Sequence, residues 1–214
     1  MPRWDPRAKD RLRDAALELF LERGYENVTV AQITERAGLT RRTFSRYFTD
    51  KRDVLFAGSE QLPLALADAV RQADGALPPF AALLTALMDA GQVLAGRAAH
   101  AAQRRAVIRA RPELQERERT KFAAVAGALA GALQERGATE SGSRMLGQVG
   151  AAIFQAAFER WTDQPGRAGF PACVREAAAE LAASLDGYAA DPLTRVTAWP
   201  RPGSRTGPDL GTGS

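Results

Sequence analysis

Apolar residues return every three or four positions along most of this 214-residue chain, and no stretch alternates with period two. That spacing keeps one side of an α-helix dry, whereas a half-buried strand needs strict alternation. Much of the apolar content is alanine, and aromatic residues make up only 7% of the chain, a balance that favours closely packed helices. The expected fold class is all-α.

Helix signals mark the segments. Asp5-Pro6 has the form of an N-cap followed by proline in the first turn, and Leu12, Ala16, Leu19 and Phe20 then repeat until Gly24 closes the segment. Thr29 and Gln32 have capping-box spacing ahead of Val30, Ile33 and Ala37, and Gly38 can turn the chain sharply. A third helix is predicted from about Thr40 to Phe48. Asp50 then caps a long fourth one that carries Val54, Leu55, Leu62 and Leu66 inward and is disturbed at Pro63. "GALPPF" breaks the chain. Further helices are predicted over Phe80–Met88, from Arg97 to Ala110, from Pro112 to Gly137, through Met145–Trp161 and from Pro171 to Tyr188. From Asp191 onward Pro, Gly, Ser and Thr dominate, the composition of a disordered tail.

Hydrophobic residues at 45% and charged residues at 25% suit a packed globular core, and the net charge of +4 agrees with an acidic partner. No apolar run approaches the ~20 residues of a membrane span, and "MPRWDPRAKD" lacks an apolar signal core, so a cytoplasmic protein without membrane contact is expected. Cys173 is the single cysteine and His100 the single histidine. Intrachain disulfides and multi-cysteine metal sites are impossible, and Ser–His–acid or two-histidine zinc arrangements improbable. No catalytic residue, metal or cofactor is expected.

The stretch "AGLTRRTFSRYFTDKRDVL" concentrates Arg41, Arg42, Arg46, Lys51 and Arg52 around Phe44, Tyr47 and Phe48. Short helix, glycine turn, short helix is the helix-turn-helix pattern, whose second helix can lie in a DNA major groove. At ~100° per residue Phe44 and Phe48 share one face, while Arg42 and Arg46 lie roughly opposite, flanked by Thr43 and Ser45. An arginine fork can pair with both guanine acceptors. Lys51 stands in the first turn of a helix, where a cation opposes the dipole and asks for an outside anion. Thr29, at a helix start, suits a phosphate. The alternative for Arg42 and Arg46 is a solvated basic surface. For Phe44 and Phe48, core packing outweighs stacking on bases.

Residues from about Arg7 to Leu55 resemble the DNA-binding domain of TetR-family transcriptional regulators. The resemblance rests on Phe20 with Gly24-Tyr25, Thr29-Val30 with Ile33, Ala37-Gly38-Leu39, and Tyr47-Phe48 with Lys51. It implies an all-α homodimer whose three N-terminal helices bind a palindromic operator in double-stranded DNA. It places base and nearby backbone contacts on Arg41, Arg42, Thr43, Ser45 and Arg46, and phosphate contacts on Thr29, Thr40, Tyr47 and Lys51. The implied layout is a helix-turn-helix domain over 1–53, a helical ligand-binding and dimerisation domain over 54–190, and the tail over 191–214.

In the second part, Gly147, Gly150, Ala151 and Ala157 permit close helix approach, and Val174, Ala178, Leu181 and Leu185 recur at near-heptad spacing, which suits pairing of the last two helices between subunits. Phe80, Leu84, Leu87, Met88, Phe122, Phe154 and Phe158 are the candidate lining of a pocket for a small-molecule effector, and each serves equally well as core. "RRAVIRARPELQERERTKF" is similar to a subgroup compared with acyl-CoA binders, through Arg105, Ile108, Pro112, Leu114 and Arg117. An apolar cavity with arginines at its mouth would suit an amphipathic ligand. The leading expectation is a repressor released from its operator when ligand shifts the long fourth helix. Activation by the same parts, a small helical enzyme and a protein-binding adaptor are the alternatives.

Overall fold

The computed structural model describes residues 7–94, 98–164 and 166–186, and every regular element among them is helical. The expected Asp5-Pro6 cap, Tyr188 and the 191–214 tail lie outside the described residues. Among the described residues ten α-helices follow one another: α1 Ala8–Arg23, α2 Val30–Arg36, α3 Arg41–Tyr47, α4 Lys51–Phe56, α5 Leu62–Gln72, α6 Pro79–Leu94, α7 Ala98–Arg109, α8 Pro112–Glu135, α9 Glu140–Asp163 and α10 Phe170–Asp186. Backbone contacts divide the chain into two units, Met1–Ala177 and Ala178–Ser214. In the second, Ser184 donates to the Glu180 carbonyl at 2.8 Å, one helical turn back, and Leu185 is exposed.

Local signals end α1 and cap the three helices after it. Gly24 closes α1 at φ +79, a conformation that costs residues with a Cβ and costs glycine little. Thr29 and Gln32 form the predicted capping box, with Gln32 N–H donating to Thr29 Oγ1 at 3.3 Å and Thr29 N–H donating to Gln32 Oε1 at 2.9 Å. Gly38, at φ +62, turns the chain out of α2, and Thr40 caps α3 by accepting from Thr43 N–H at 3.1 Å. Asp50 caps α4 by accepting from the N–H groups of Arg52 and Asp53 at 2.8 and 3.1 Å.

The predicted long fourth helix is not present. α4 ends at Phe56, and Gly58 at φ +83 breaks the chain before a 3-10 turn over Ser59–Gln61. Pro63 falls in the first turn of α5, where its missing N–H has no helical acceptor to lose, so it opens a helix rather than bending one.

One apolar cluster joins Leu12, Leu19, Phe20, Tyr25, Ile33, Phe44, Phe48 and Phe56, from the first four helices and the turns between them, to Val107, Ile108 and Leu114 from α7 and α8. Ile108 and Leu114 therefore fill this core rather than a ligand cavity. Arg105, expected at a cavity mouth, is buried and locked to α9: it donates to Thr162 Oγ1 at 3.1 Å and pairs with Asp163 at 2.5 Å and Glu159 at 3.4 Å.

The body is built on close packing of α8 and α9. A Cβ on Gly147 would stand 2.4 Å from the Ala126 carbonyl oxygen, and one on Gly150 would meet Leu83 at 2.8 Å and Leu129 at 3.1 Å. These small residues, with buried Ala151 and Ala157, serve contacts inside one chain. They were expected to open a path for a second subunit. An aromatic cluster runs beside them, with Phe154 at 6.4 Å from Phe122, 6.4 Å from Phe158 and 5.2 Å from Phe170 between ring centres, and Trp161 at 5.9 Å from Phe170.

Candidate nucleic-acid interface

α3 is held from one side. Phe44 and Phe48 are buried with their rings 5.3 Å apart, and Phe44 is 2% exposed. Because a helix turns ~100° per residue, anchoring those two leaves Arg41, Arg42, Ser45 and Arg46 facing solvent, and all four are exposed. Thr43 and Tyr47 are half-buried at the edges of that face. Arg46 donates to the Tyr47 hydroxyl at 2.9 Å, with its guanidinium 4.7 Å from the ring centre. That contact limits its rotamers while keeping the side chain at the surface.

The threonines are committed to caps. Thr40 Oγ1 lies 3.0 Å from Thr43 Oγ1 besides accepting from Thr43 N–H, and Thr29 Oγ1 lies 3.1 Å from Gln32 Oε1. Both residues are nevertheless exposed, at the starts of α3 and α2.

Lys51 also has partners within the chain. Its ammonium donates to the carbonyl oxygens of Tyr25 at 2.8 Å, Val28 at 3.1 Å and Glu26 at 3.3 Å, and lies 4.3 Å from the centre of the Tyr25 ring. The anionic environment that the lysine demands is thus supplied by the loop after α1. Burial foremost, together with the nearby Glu113 charge, pushes the Tyr25 phenol up to about 12. Burial alone would raise the Asp50 carboxyl, but the Arg52 guanidinium and the N–H groups it caps outweigh that and hold it below the usual carboxylate range.

Two arginines of the body brace α4, and sequence reasoning gave neither this role. Arg104 Nε donates to the Leu55 carbonyl in the last turn of α4, and Arg117 Nη2 donates to Asp53. Their guanidiniums flank the Phe56 ring, each 5.3 Å from its centre. The signal available was the arginine density of "RRAVIRARPELQERERTKF", but which carbonyl or carboxylate each one meets is a tertiary fact.

The seven expected pocket residues differ in burial. Leu87 and Phe154 are buried, Leu84, Met88, Phe122 and Phe158 are half-buried, and Phe80 is exposed. Phe122, Phe154 and Phe158 come together in the aromatic cluster. A cavity of about 370 Å³ lies elsewhere, lined by Arg160, Gln164, Arg167, Ala168, Cys173 and Glu176. Among the described residues no group of acidic, histidine or cysteine side chains could hold a metal ion, and no helix is long and apolar enough to cross a membrane.

Three capped helices presenting one basic face, joined to a helical body, define a helix-turn-helix regulator. The sequence profile of "Bacterial regulatory proteins, tetR family" matches residues 12–57, and that of the "MftR C-terminal domain" matches residues 77–186. The chain belongs to the TetR family of bacterial regulatory proteins. It is 50% identical over 48 residues to the HTH-type transcriptional regulator TcmR of Streptomyces glaucescens, a match covering 22% of this chain and 21% of that one. It is 40% identical over 74 residues to the HTH-type transcriptional regulator BetI of Escherichia coli, covering 35% of this chain and 38% of that one. These matches span well under half the length of the curated relatives. Among solved structures, the transcriptional regulator FadR from Bacillus subtilis in complex with stearoyl-CoA superposes with a TM-score of 0.57 at 20% identity, covering 78% of this chain and 94% of that one. That likeness shows the fold.

Proposed function

We propose that the protein is a DNA-binding transcriptional regulator that represses from a palindromic operator and is released by a small amphipathic or hydrophobic ligand. The observation that carries this reading is the face of α3. Three arginines and a serine stand exposed on a seven-residue helix whose opposite side is anchored by Phe44 and Phe48. Residues 1–53 would read the DNA, with Arg41, Arg42, Thr43, Ser45 and Arg46 at the groove and Thr29, Thr40 and Tyr47 at phosphates. Lys51 would position the loop between α1 and α2 for them.

A homodimer is the natural partner for a palindrome, since two-fold protein symmetry matches half-sites about one DNA turn, ~34 Å, apart. With the glycines of α9 used inside the chain, the face of that helix left for a second copy is Met145, Gln148, Ala152 and Gln155, all exposed. The stearoyl-CoA held by the Bacillus subtilis relative supports an effector with a long apolar arm, and the Phe122–Phe154–Phe158 cluster is apolar surface of the matching kind.

The test is a titration of the protein against its own upstream DNA at several salt concentrations. Specific binding should weaken steeply with salt, as contacts to several phosphates require. Binding that is indifferent to sequence and to salt would overturn the reading.

A further inference from the structure

Behind α4, two largely buried cations share one carboxylate. Arg104 on α7 and Lys121 on α8 have side chains 15% and 12% exposed, and both turn to Glu118, itself 20% exposed. Lys121 Nζ donates to Glu118 Oε1 at 3.1 Å. Arg104 Nη2 reaches no closer than 3.7 Å to the same oxygen and, among the described residues, makes no hydrogen bond although it is buried. Its Nε is spent on the Leu55 carbonyl. The neighbouring Asp53 carboxylate is taken by Arg117, and Arg13 on α1 adds further positive charge near Arg104. The group therefore carries a surplus positive charge in a dry place, an arrangement that burial penalises unless an anion completes it. Burial foremost, and then the Arg104 charge, push the Lys121 ammonium down to about 8. Lys121 also lies 4.3 Å above the Phe122 ring, so the cationic group opens directly onto the aromatic cluster of the body.

We propose that Arg104 and Lys121 are the seat for the anionic group of an amphipathic ligand, a carboxylate or phosphate whose apolar arm lies toward Phe122 and Phe154. The inference rests on the ligand-controlled reading above and names the chemistry of its effector. An anion placed against Arg104 Nη2 would satisfy the unbonded donor. By drawing the guanidinium toward itself it would also strain the bond from Arg104 Nε to the Leu55 carbonyl, and so loosen the end of α4.

The experiment compares three probes on the full-length protein at pH 7 by calorimetry: dodecanoate, dodecan-1-ol and dodecanoyl-CoA. At least one anionic probe should bind tenfold or more tightly than the alcohol. If dodecanoate does so, a carboxylate suffices, and if only dodecanoyl-CoA does, the phosphates supply the anion. Lys121→Met should erase the preference for the anion while leaving alcohol binding unchanged. Glu118→Gln, which removes the competing carboxylate, should tighten the anion several-fold, a gain that misfolding cannot imitate. Equal binding of alcohol and anions, an unchanged ratio in Lys121→Met, or no binding of any probe would overturn the seat. Anion binding that depends on Lys121 but leaves operator affinity unchanged would retain the seat and sink ligand control. Operator release by the alcohol and the anions alike would do the reverse.

Discussion

Lys51 donates to the carbonyl oxygen of Tyr25 at 2.8 Å while its ammonium rests 4.3 Å from the centre of that tyrosine's own ring. One side chain thus ties the first turn of α4 to the exit of α1, and α3 is strung between α2 and α4. Replacing Lys51 with methionine keeps the stem and removes the charge, taking away the hydrogen bonds it gives to three carbonyls. Denaturant unfolding should show a loss of about 1–3 kcal/mol. DNA affinity should fall with it, by an amount that does not depend on which operator sequence is presented.

Arg42→Ala and Arg46→Ala should behave oppositely. Both side chains are exposed, so the unfolding free energy should change by no more than about 0.5 kcal/mol. Operator binding, followed by fluorescence anisotropy, should weaken by about 1–3 kcal/mol for a residue paired to a base edge. Discrimination between operator and random DNA should shrink with it. A variant that unfolds instead would assign the arginine to the fold.

Two glycines should respond with opposite signs. Gly147→Ala drives a methyl to 2.4 Å from a backbone carbonyl on α8, and overpacking of this kind costs about 1–3 kcal/mol. Gly131→Ala, within α8, meets nothing within 4 Å and should stabilise by about 0.5–1 kcal/mol by relieving a helix of glycine. Melting temperatures of the pair, measured together, check both signs.

The lysine behind α4 predicts a pH dependence. Its folded-state value of about 8 lies below the ordinary 10.5, so between those two pH values the unfolded chain binds the extra proton. Stability from this group therefore rises as pH climbs from about 8 toward 10.5, and below pH 8 the charged ammonium is a fixed cost. The groups facing it are Glu118 on its own helix, Arg104 on α7 and, beyond Arg104, Arg13 on α1. In Lys121→Met that rise should be absent. The difference between variant and parent in unfolding free energy should drift by on the order of 1–3 kcal/mol across the window. A difference that stays flat would show that the surroundings do not weaken the lysine's hold on its proton.

Local order was legible in the sequence, and tertiary bracing was not. Thr29 with Gln32, Thr40 and Asp50 act within three residues of themselves, so spacing alone reveals their caps. The exposed arginines of α3 followed from the same geometry once Phe44 and Phe48 were read as core. The break at Gly58 was missed because the run from Lys51 to Leu66 is otherwise well suited to a helix. Glycine and serine five and four positions ahead of Pro63 were the available sign of a new start. The in-chain partners of Lys51, Arg104, Arg105 and Arg117 were missed for a common reason: a cation's partner lies as far as 64 residues away in the chain, and nothing in local spacing names it. The small residues of α9 signalled close approach correctly, but spacing cannot say whether the approaching helix belongs to the same chain.

Ile108 and Leu114, wholly buried, sit in the same apolar cluster as Phe44 and Phe48. A chimera that grafts residues 1–53 alone onto the body of another regulator would strip those aromatics of their inner wall and leave raw apolar surface in water. Exchange of operator specificity between relatives must therefore transplant α7 and the opening turn of α8 along with the reading head, or else confine itself to the four outward positions of α3.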